Sequence, residues 1–377
     1  MNPPPGAREG AHRVIFIDLA RALAVVMMVY GHTVSALLGA EYRAGPWYDA
    51  WTFQRGLTSS LFLLLAGFAF SIATTRHWST HIQLSPALWK RIRRFGLFIL
   101  LGYALHFPVS RLWHLYGTSE ERWRSLLQVD VLQLIGVTFI AVQLIVLTVR
   151  SRRAFMAAAL LLAAAIVVAT PAVWSIDWER RLPFAIAAYL TPPPASQFPL
   201  FPWAAFVLIG AGTGQIYARW GAGHLSAFAN GFMTTGAALA AVTLLPLFGD
   251  DPLSWVPLLV VLRTGICLAL LGLIAHASRF ITRLPHVFGA VAQESLLIYF
   301  IHLCIVYGSV WNTGLVQLWG ETLSPAATAL VVAAMLAAMI VLAWQWNRLK
   351  HVTPQTARRV SIAAGAVLLG MLLIPNG

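Results

Sequence analysis

The chain has 377 residues, 59% of them hydrophobic and only 10% charged, where a soluble protein carries about 25% charged residues. An ordinary soluble fold is thereby excluded. The net charge of +13 comes from 26 lysines and arginines against 13 aspartates and glutamates. These basic residues fall in short clusters between apolar runs, which is the pattern of membrane topology and not of a nucleic-acid face.

Residues 1–13 form a polar, proline-rich tail. The run at 14–38 is too long for a signal-peptide core and carries Asp18, Arg21 and His32, so it reads as a retained span. Further runs near the ~20 residues a span requires lie at about 57–75, 92–110, 126–149, 154–173, 199–218, 227–248, 254–276, 288–311, 324–346 and 357–375. They predict an all-α, polytopic membrane helix bundle of about 11 transmembrane helices, one domain over residues 14–377. Loops after even-numbered runs are basic, as at Lys90, Arg91, Arg93 and Arg94 or at Arg348, Lys350, Arg358 and Arg359. Loops after odd-numbered runs are balanced or acidic: Glu41 and Asp49 offset Arg43 and Arg55, and Asp250 and Asp251 stand alone. By the positive-inside rule the N-terminus is cytoplasmic and the C-terminus outside. Between the fifth and sixth runs, Asp177 to Pro202 reads as an interfacial helix over Leu182–Leu190 and then a rigid, proline-rich turn, either a wall of an external cleft or a plain connector.

Ionisable groups inside these runs are the candidates for chemistry, because lipid makes them expensive. Eleven residues separate Arg21 from His32, nearly a whole number of turns, so both side chains share one face roughly 16 Å apart, with Asp18 on the same stripe. Histidine titrates close to working pH and suits a general base. Arg91 and Arg94 are one turn apart at the expected start of the third helix, where they and the helix dipole would grip a phosphate, or merely mark the cytoplasmic side. Ser295, Tyr299 and His302 share a face of the ninth helix, with Glu294 offset, as a cavity lining or a packing seam. Arg263 lies mid-span and needs a partner, with Asp130 (beside Gln133) and Glu294 as candidates; His106 is a further cavity residue or a satisfied core histidine. The two cysteines, Cys267 and Cys304, sit in apolar runs without metal-site spacing, and neither a zinc-protease, a phosphate-loop nor a hydrolase-elbow motif is present.

These residues resemble the transmembrane acyltransferase superfamily, which joins the acyltransferase-3 and heparan-α-glucosaminide N-acetyltransferase-like families. Arg21…His32 is similar to its Arg-x10-His signature, Arg91…Arg94 to its Arg-x-x-Arg, and Phe62–Phe68 to the second-helix motif, with Ala66 where serine is usual. Asp130–Gly136, Phe198–Trp203 and Glu294–Tyr299 with His302 resemble the N-acetyltransferase-like branch. One departure is Ala22, where the family usually has glycine after the motif arginine. The resemblance implies an acyl-CoA co-substrate, acetyl-CoA foremost, no metal, and a sugar or glycan acceptor on the outer face. It implies His32 as general base or acyl carrier, Arg21 orienting the donor, Asp18 fixing Arg21, and Arg91 and Arg94 holding phosphates. A bacterial cytoplasmic membrane is the expected location, with a second copy of the chain as an open partner. The rival reading is a secondary transporter using Asp130, Arg263, Glu294 and His302. It requires repeat-related halves and helices broken at corresponding positions, and the sequence displays neither.

Overall fold

The computed structural model describes residues 14–245, 253 and 255–373; the polar tail and the acidic pair Asp250 and Asp251 lie outside them. Among the described residues there is no β-strand. The helices, in chain order, are α1 (Ile15–Leu37), α2 (Pro46–Arg76), α3 (Trp78–His81), α4 (Pro86–Leu105), α5 (Glu120–Leu127), α6 (Val131–Val149), α7 (Arg152–Trp174), α8 (Phe184–Ala187), α9 (Leu200–Ile216), α10 (Leu225–Val242), α11 (Trp255–Ser278), α12 (His286–Gln293), α13 (Ser295–Tyr307), α14 (Leu315–Trp319), α15 (Pro325–Val352) and α16 (Pro354–Leu373). Nine of those described are long and apolar enough to cross a membrane, and the bent pair α12–α13 makes a tenth. The third predicted span is present as α4, though its four basic residues leave it less apolar than the rest. The chain is an all-α integral membrane protein.

α1 is the hub. Its Met28 joins the core shared by α2, α4, α6, α7 and α9. Its Phe16, Ala20 and Ala24 face α2, α10 and α11. Its Ala22, Val25 and Val29 face α13 and α15. Lipid tails are as apolar as leucine, so close backbone approach takes over from the hydrophobic effect as the glue between such helices. The tightest instance joins α2 to α9: a Cβ on Gly67 would strike the Val207 carbonyl, and one on Gly210 the Leu64 carbonyl. At its end α1 is held by Arg43, which donates to the carbonyls of Leu38 and Ser35 and pairs with Glu321 at 3.0 Å. A cation satisfying the last carbonyls is a stable helix terminus.

Five boundaries differ from those expected. α4 begins at Pro86, not near residue 92, because Ser85 caps it by accepting from the Leu88 amide and proline occupies the first turn. Arg91 and Arg94 therefore sit in the second and third turns, beyond the reach of the helix dipole, and His106 is the C-cap instead of a mid-helix residue. α2 starts at Pro46, eleven residues early, which places Arg55 inside a helix instead of a loop. The span expected at 288–311 is two helices bent by 73° at Glu294, and α13 ends at Tyr307 because Gly308 adopts φ +81. The fourth run begins with the separate helix α5, and the interfacial helix expected over Leu182–Leu190 is the single turn α8.

Candidate active site

α13 lies alongside α1 and meets it at two levels. At one, Arg21 Nη2 donates to Ser295 Oγ at 3.0 Å. At the other, the imidazoles of His32 and His302 stand 5.3 Å apart, ring centre to ring centre. Both pairs follow from the helical spacings, eleven residues along α1 and seven along α13. The bundle end that holds His32, Arg55, His106 and Asp130 is opposite the end that holds Arg21, Arg91, Glu294 and Lys350.

The His32 end is rich in polar contacts. His32 Nδ1 is 3.1 Å from the Tyr307 hydroxyl. No sequence motif points to Tyr307. The same holds for Arg55, which donates to Ser35 Oγ at 2.5 Å and, with Asp130, is one of the charges acting on His32. His302 is fully buried. Its Nδ1 contacts the Ile298 carbonyl at 2.7 Å, which makes Nδ1 the protonated nitrogen and Nε2 a bare acceptor. That Nε2 is buried with no hydrogen-bond partner, an uncommon and unfavourable state for a polar atom.

Asp130 joins this group through Tyr299. It is the N-cap of α6: its Oδ1 accepts from the Val131 amide at 2.7 Å, and Gln133 closes the capping box by accepting from the Asp130 amide. Oδ2 meets His106 Nε2 at 3.3 Å and the Tyr299 hydroxyl at 3.5 Å. The Tyr299 ring is 5.9 Å from that of His302. Residues 194–198 pin this corner, with Ser196 and Phe198 bonding the backbone of Val129 and Pro194 accepting from Gln128. The proline-rich segment thus fixes the residue pair preceding Asp130.

At the opposite end, Asp18 attracts Arg21 and Arg94 repels it. Arg94 is exposed, whereas Arg91 is turned inward. The Arg91 guanidinium lies 3.9 Å over the Phe70 ring and donates to Thr74 Oγ1 at 2.7 Å, to the Phe70 carbonyl and to His81 Nδ1. Arg91 is thus engaged within the bundle, whereas the exposed Arg94 is near enough to Arg21 to act on its charge. No group of three or more histidine, cysteine or acidic side chains able to hold a metal occurs among the described residues.

Glu294 is apart from this site. Its carboxylate, 4% exposed, binds Lys350 Nζ at 2.5 Å and Asn347 Nδ2 at 3.0 Å, both on α15. It lies eight residues from His302, roughly 12 Å along α13. Arg263 has neither expected partner, since Asp130 and Glu294 are both engaged elsewhere. It rests instead against Gly56 and Trp203. The four residues of the transport reading thus form no continuous chain. One broken span occurs among the described residues, at Glu294, where the sequence displays none.

No curated protein matches this chain. The family model for the catalytic region of heparan-alpha-glucosaminide N-acetyltransferase matches residues 13–248, well over half the chain, and stops short of Arg263, Ser295, Tyr299, His302 and Tyr307. The matched stretch holds Arg21, His32, Arg94 and Asp130 in one bundle, and the chain belongs to the heparan-alpha-glucosaminide N-acetyltransferase family of membrane acetyltransferases.

Proposed function

We propose that this protein carries an acetyl group from acetyl-CoA, entering from the cytoplasmic side, to an amine or hydroxyl of a sugar on the outer face, with His32 as general base. The observation that carries this reading is the placement of His32. Its ring lies inside the bundle against His302 and Tyr307, at the far end of the same α1 face that bears Arg21. A pantetheine arm spanning the roughly 16 Å between them brings the thioester to the imidazole while the phosphates stay near Arg94 and Arg21.

The acceptor nitrogen or oxygen attacks the thioester carbonyl, and His32 takes its proton. The carbon–sulfur bond breaks, and the imidazolium returns that proton to the departing thiolate, so the imidazole is neutral again at the end of the cycle. His302, with its bare Nε2, and the Asp130–His106–Tyr299 group stabilise the charged imidazole during the transfer. Asp18 holds Arg21. The basic loops support a cytoplasmic N-terminus, and the chain works as one domain in a bacterial cytoplasmic membrane.

The test uses purified full-length protein in nanodiscs, acetyl-CoA and glucosamine. Acetyl transfer is expected in the wild type and absent in His32→Ala, with helicity and melting unchanged. Full activity in that variant removes His32 from the mechanism. A structure with coenzyme A bound should place its sulfur beside His32.

A further inference from the structure

A groove of about 480 Å³ opens on the flank of the bundle at the Arg21 end, between α1, α11, α12 and α15. Its floor is Ala22 and Val291, each 4% exposed, and its rim is Leu23, Val287 and Phe288, all exposed. The volume falls in the range of small-molecule sites, about 300–1,000 Å³. Every side chain that lines it is apolar. Water needs several polar partners to settle in such a space, and none is offered. A void of this size is unfavourable among close-packed helices, so apolar matter must fill it. At membrane depth that matter is hydrocarbon chain.

Charge marks the mouth of this groove. α11 ends at Ser278 and α12 begins at His286. Both sides of the connection supply walls, Ala277 and Ile281 before it closes and Val287 after it. The connection, residues 279–285, holds Arg279 and Arg283, both exposed, and no acidic residue. Arg279 lies 3.4 Å from His276 Nδ1. Neither arginine pairs with a carboxylate among the described residues. Phe280, between them in the chain, is 86% exposed, as an aromatic anchor at a membrane surface would be. Two unpaired guanidinium groups above a hydrocarbon-lined groove are complementary to a negative headgroup and the chain beneath it.

We propose that this groove binds one anionic phospholipid from the leaflet on the Arg21 side, with an acyl chain lying against α1 and α12 and the phosphate held by Arg279 and Arg283. Planar guanidinium forks suit phosphate oxygens better than an ammonium would. The chain packs on α12, which at eight residues is too short to cross the membrane and leaves the line of α13 by 73°. The site lies outside the acyl-transfer reading above and does not depend on it.

The experiment titrates delipidated full-length protein in detergent with phosphatidylglycerol or phosphatidylcholine of identical chains, and counts bound lipid by native mass spectrometry. The wild type should bind one phosphatidylglycerol about tenfold or more tighter than phosphatidylcholine, the scale of two arginines beside an anionic headgroup. Arg279→Gln combined with Arg283→Gln should bring that ratio to about one. Val26→Trp, which fills the groove, should weaken both lipids about tenfold by displacing chain methylenes. A second measurement needs no variant: phosphatidylglycerol carrying a photoreactive group on its acyl chain should crosslink to the α1 and α12 residues of the groove. Equal affinity for the two lipids in the wild type, or a preference kept in the double arginine variant, overturns the proposal. Crosslinks scattered over all the outward-facing helices would reduce the lipid to bulk solvent and overturn it too. Glycerol phosphate binding as tightly as the whole lipid would assign the arginines to a free anion, and a dimer that Val26→Trp dissociates would assign the groove to a second copy of the chain. Either result removes the lipid site. None of these readouts involves acetyl transfer, so failure here leaves the acyl-transfer reading untouched.

Discussion

His302 presents an unpartnered Nε2 to the bundle interior, 5.3 Å ring to ring from His32, and the two imidazoles come from helices that begin 280 residues apart in the chain. If His32 is the base, general-base catalysis contributes about 10²–10⁴-fold, so His32→Ala should lose acetyl transfer by that factor. His302→Gln keeps the shape and an acceptor, and is expected to lose much less than His302→Ala. Initial rates with acetyl-CoA and an amino sugar check both, and equal losses in the two His302 variants would show that the acceptor nitrogen is immaterial.

Arg91 and Arg94 should part company. Arg94 is exposed beside Arg21, whereas Arg91 is spent on Phe70, Thr74 and His81. Arg94→Ala is expected to weaken coenzyme A binding about tenfold, less at high salt, with no change in melting. Arg91→Ala should lower the melting temperature by the loss of charged hydrogen bonds, about 2 kcal/mol. Calorimetric titration and thermal unfolding of each variant decide the matter; equal effects on binding would restore the matched clamp.

Much of this arrangement is legible in the sequence. The α1 face stands out because Asp18, Arg21 and His32 are ionisable groups in an apolar run, and their spacing alone fixes their alignment. Each of the eleven runs carries a helix, since each is too long and apolar to be otherwise. What sequence does not supply are contacts set by packing between helices. Tyr307 is five residues from His302, about 140° around α13, so no periodicity links it to the site; its partner is determined by how α13 lies on α1. Arg55 is hidden because an apolar-run criterion starts α2 too late, although Gly45-Pro46 is a helix-start signal. At the break, Glu294 pairs with Lys350, 56 residues away.

That break should depend on the ion pair. Lys350 is 42% exposed and Glu294 almost fully buried, so removing the ammonium leaves a carboxylate stranded between α12 and α13. Lys350→Met is expected to destabilise the protein by about 1–2 kcal/mol, with solvent screening at the ammonium keeping the figure low. Adding Glu294→Gln should recover part of it, because Asn347 can still bond the amide. A double-mutant cycle by thermal unfolding measures this, and a coupling near zero would reduce the pair to a surface contact.

The last expectation concerns acid stability. His81 closes α3, outside the spans, and is 8% exposed. Burial pushes its pKa down to about 4, and the adjacent Arg91 guanidinium pushes the same way. The hydrogen bond agrees: Arg91 Nη1 can only donate, so His81 Nδ1 must be an unprotonated acceptor. The unfolded chain takes up this proton near pH 6.5 and the folded one only near pH 4. Between those values the unfolded state binds more protons, so stability falls as pH drops through that window and is independent of this group above it. Melting temperatures between pH 7 and pH 5 should therefore decline in the wild type and decline less in His81→Gln, whose amide still accepts from Arg91 and carries no titrating charge. Parallel pH profiles for the two proteins would mean that His81 is already protonated in the fold, and the Arg91 contact would have to be rebuilt.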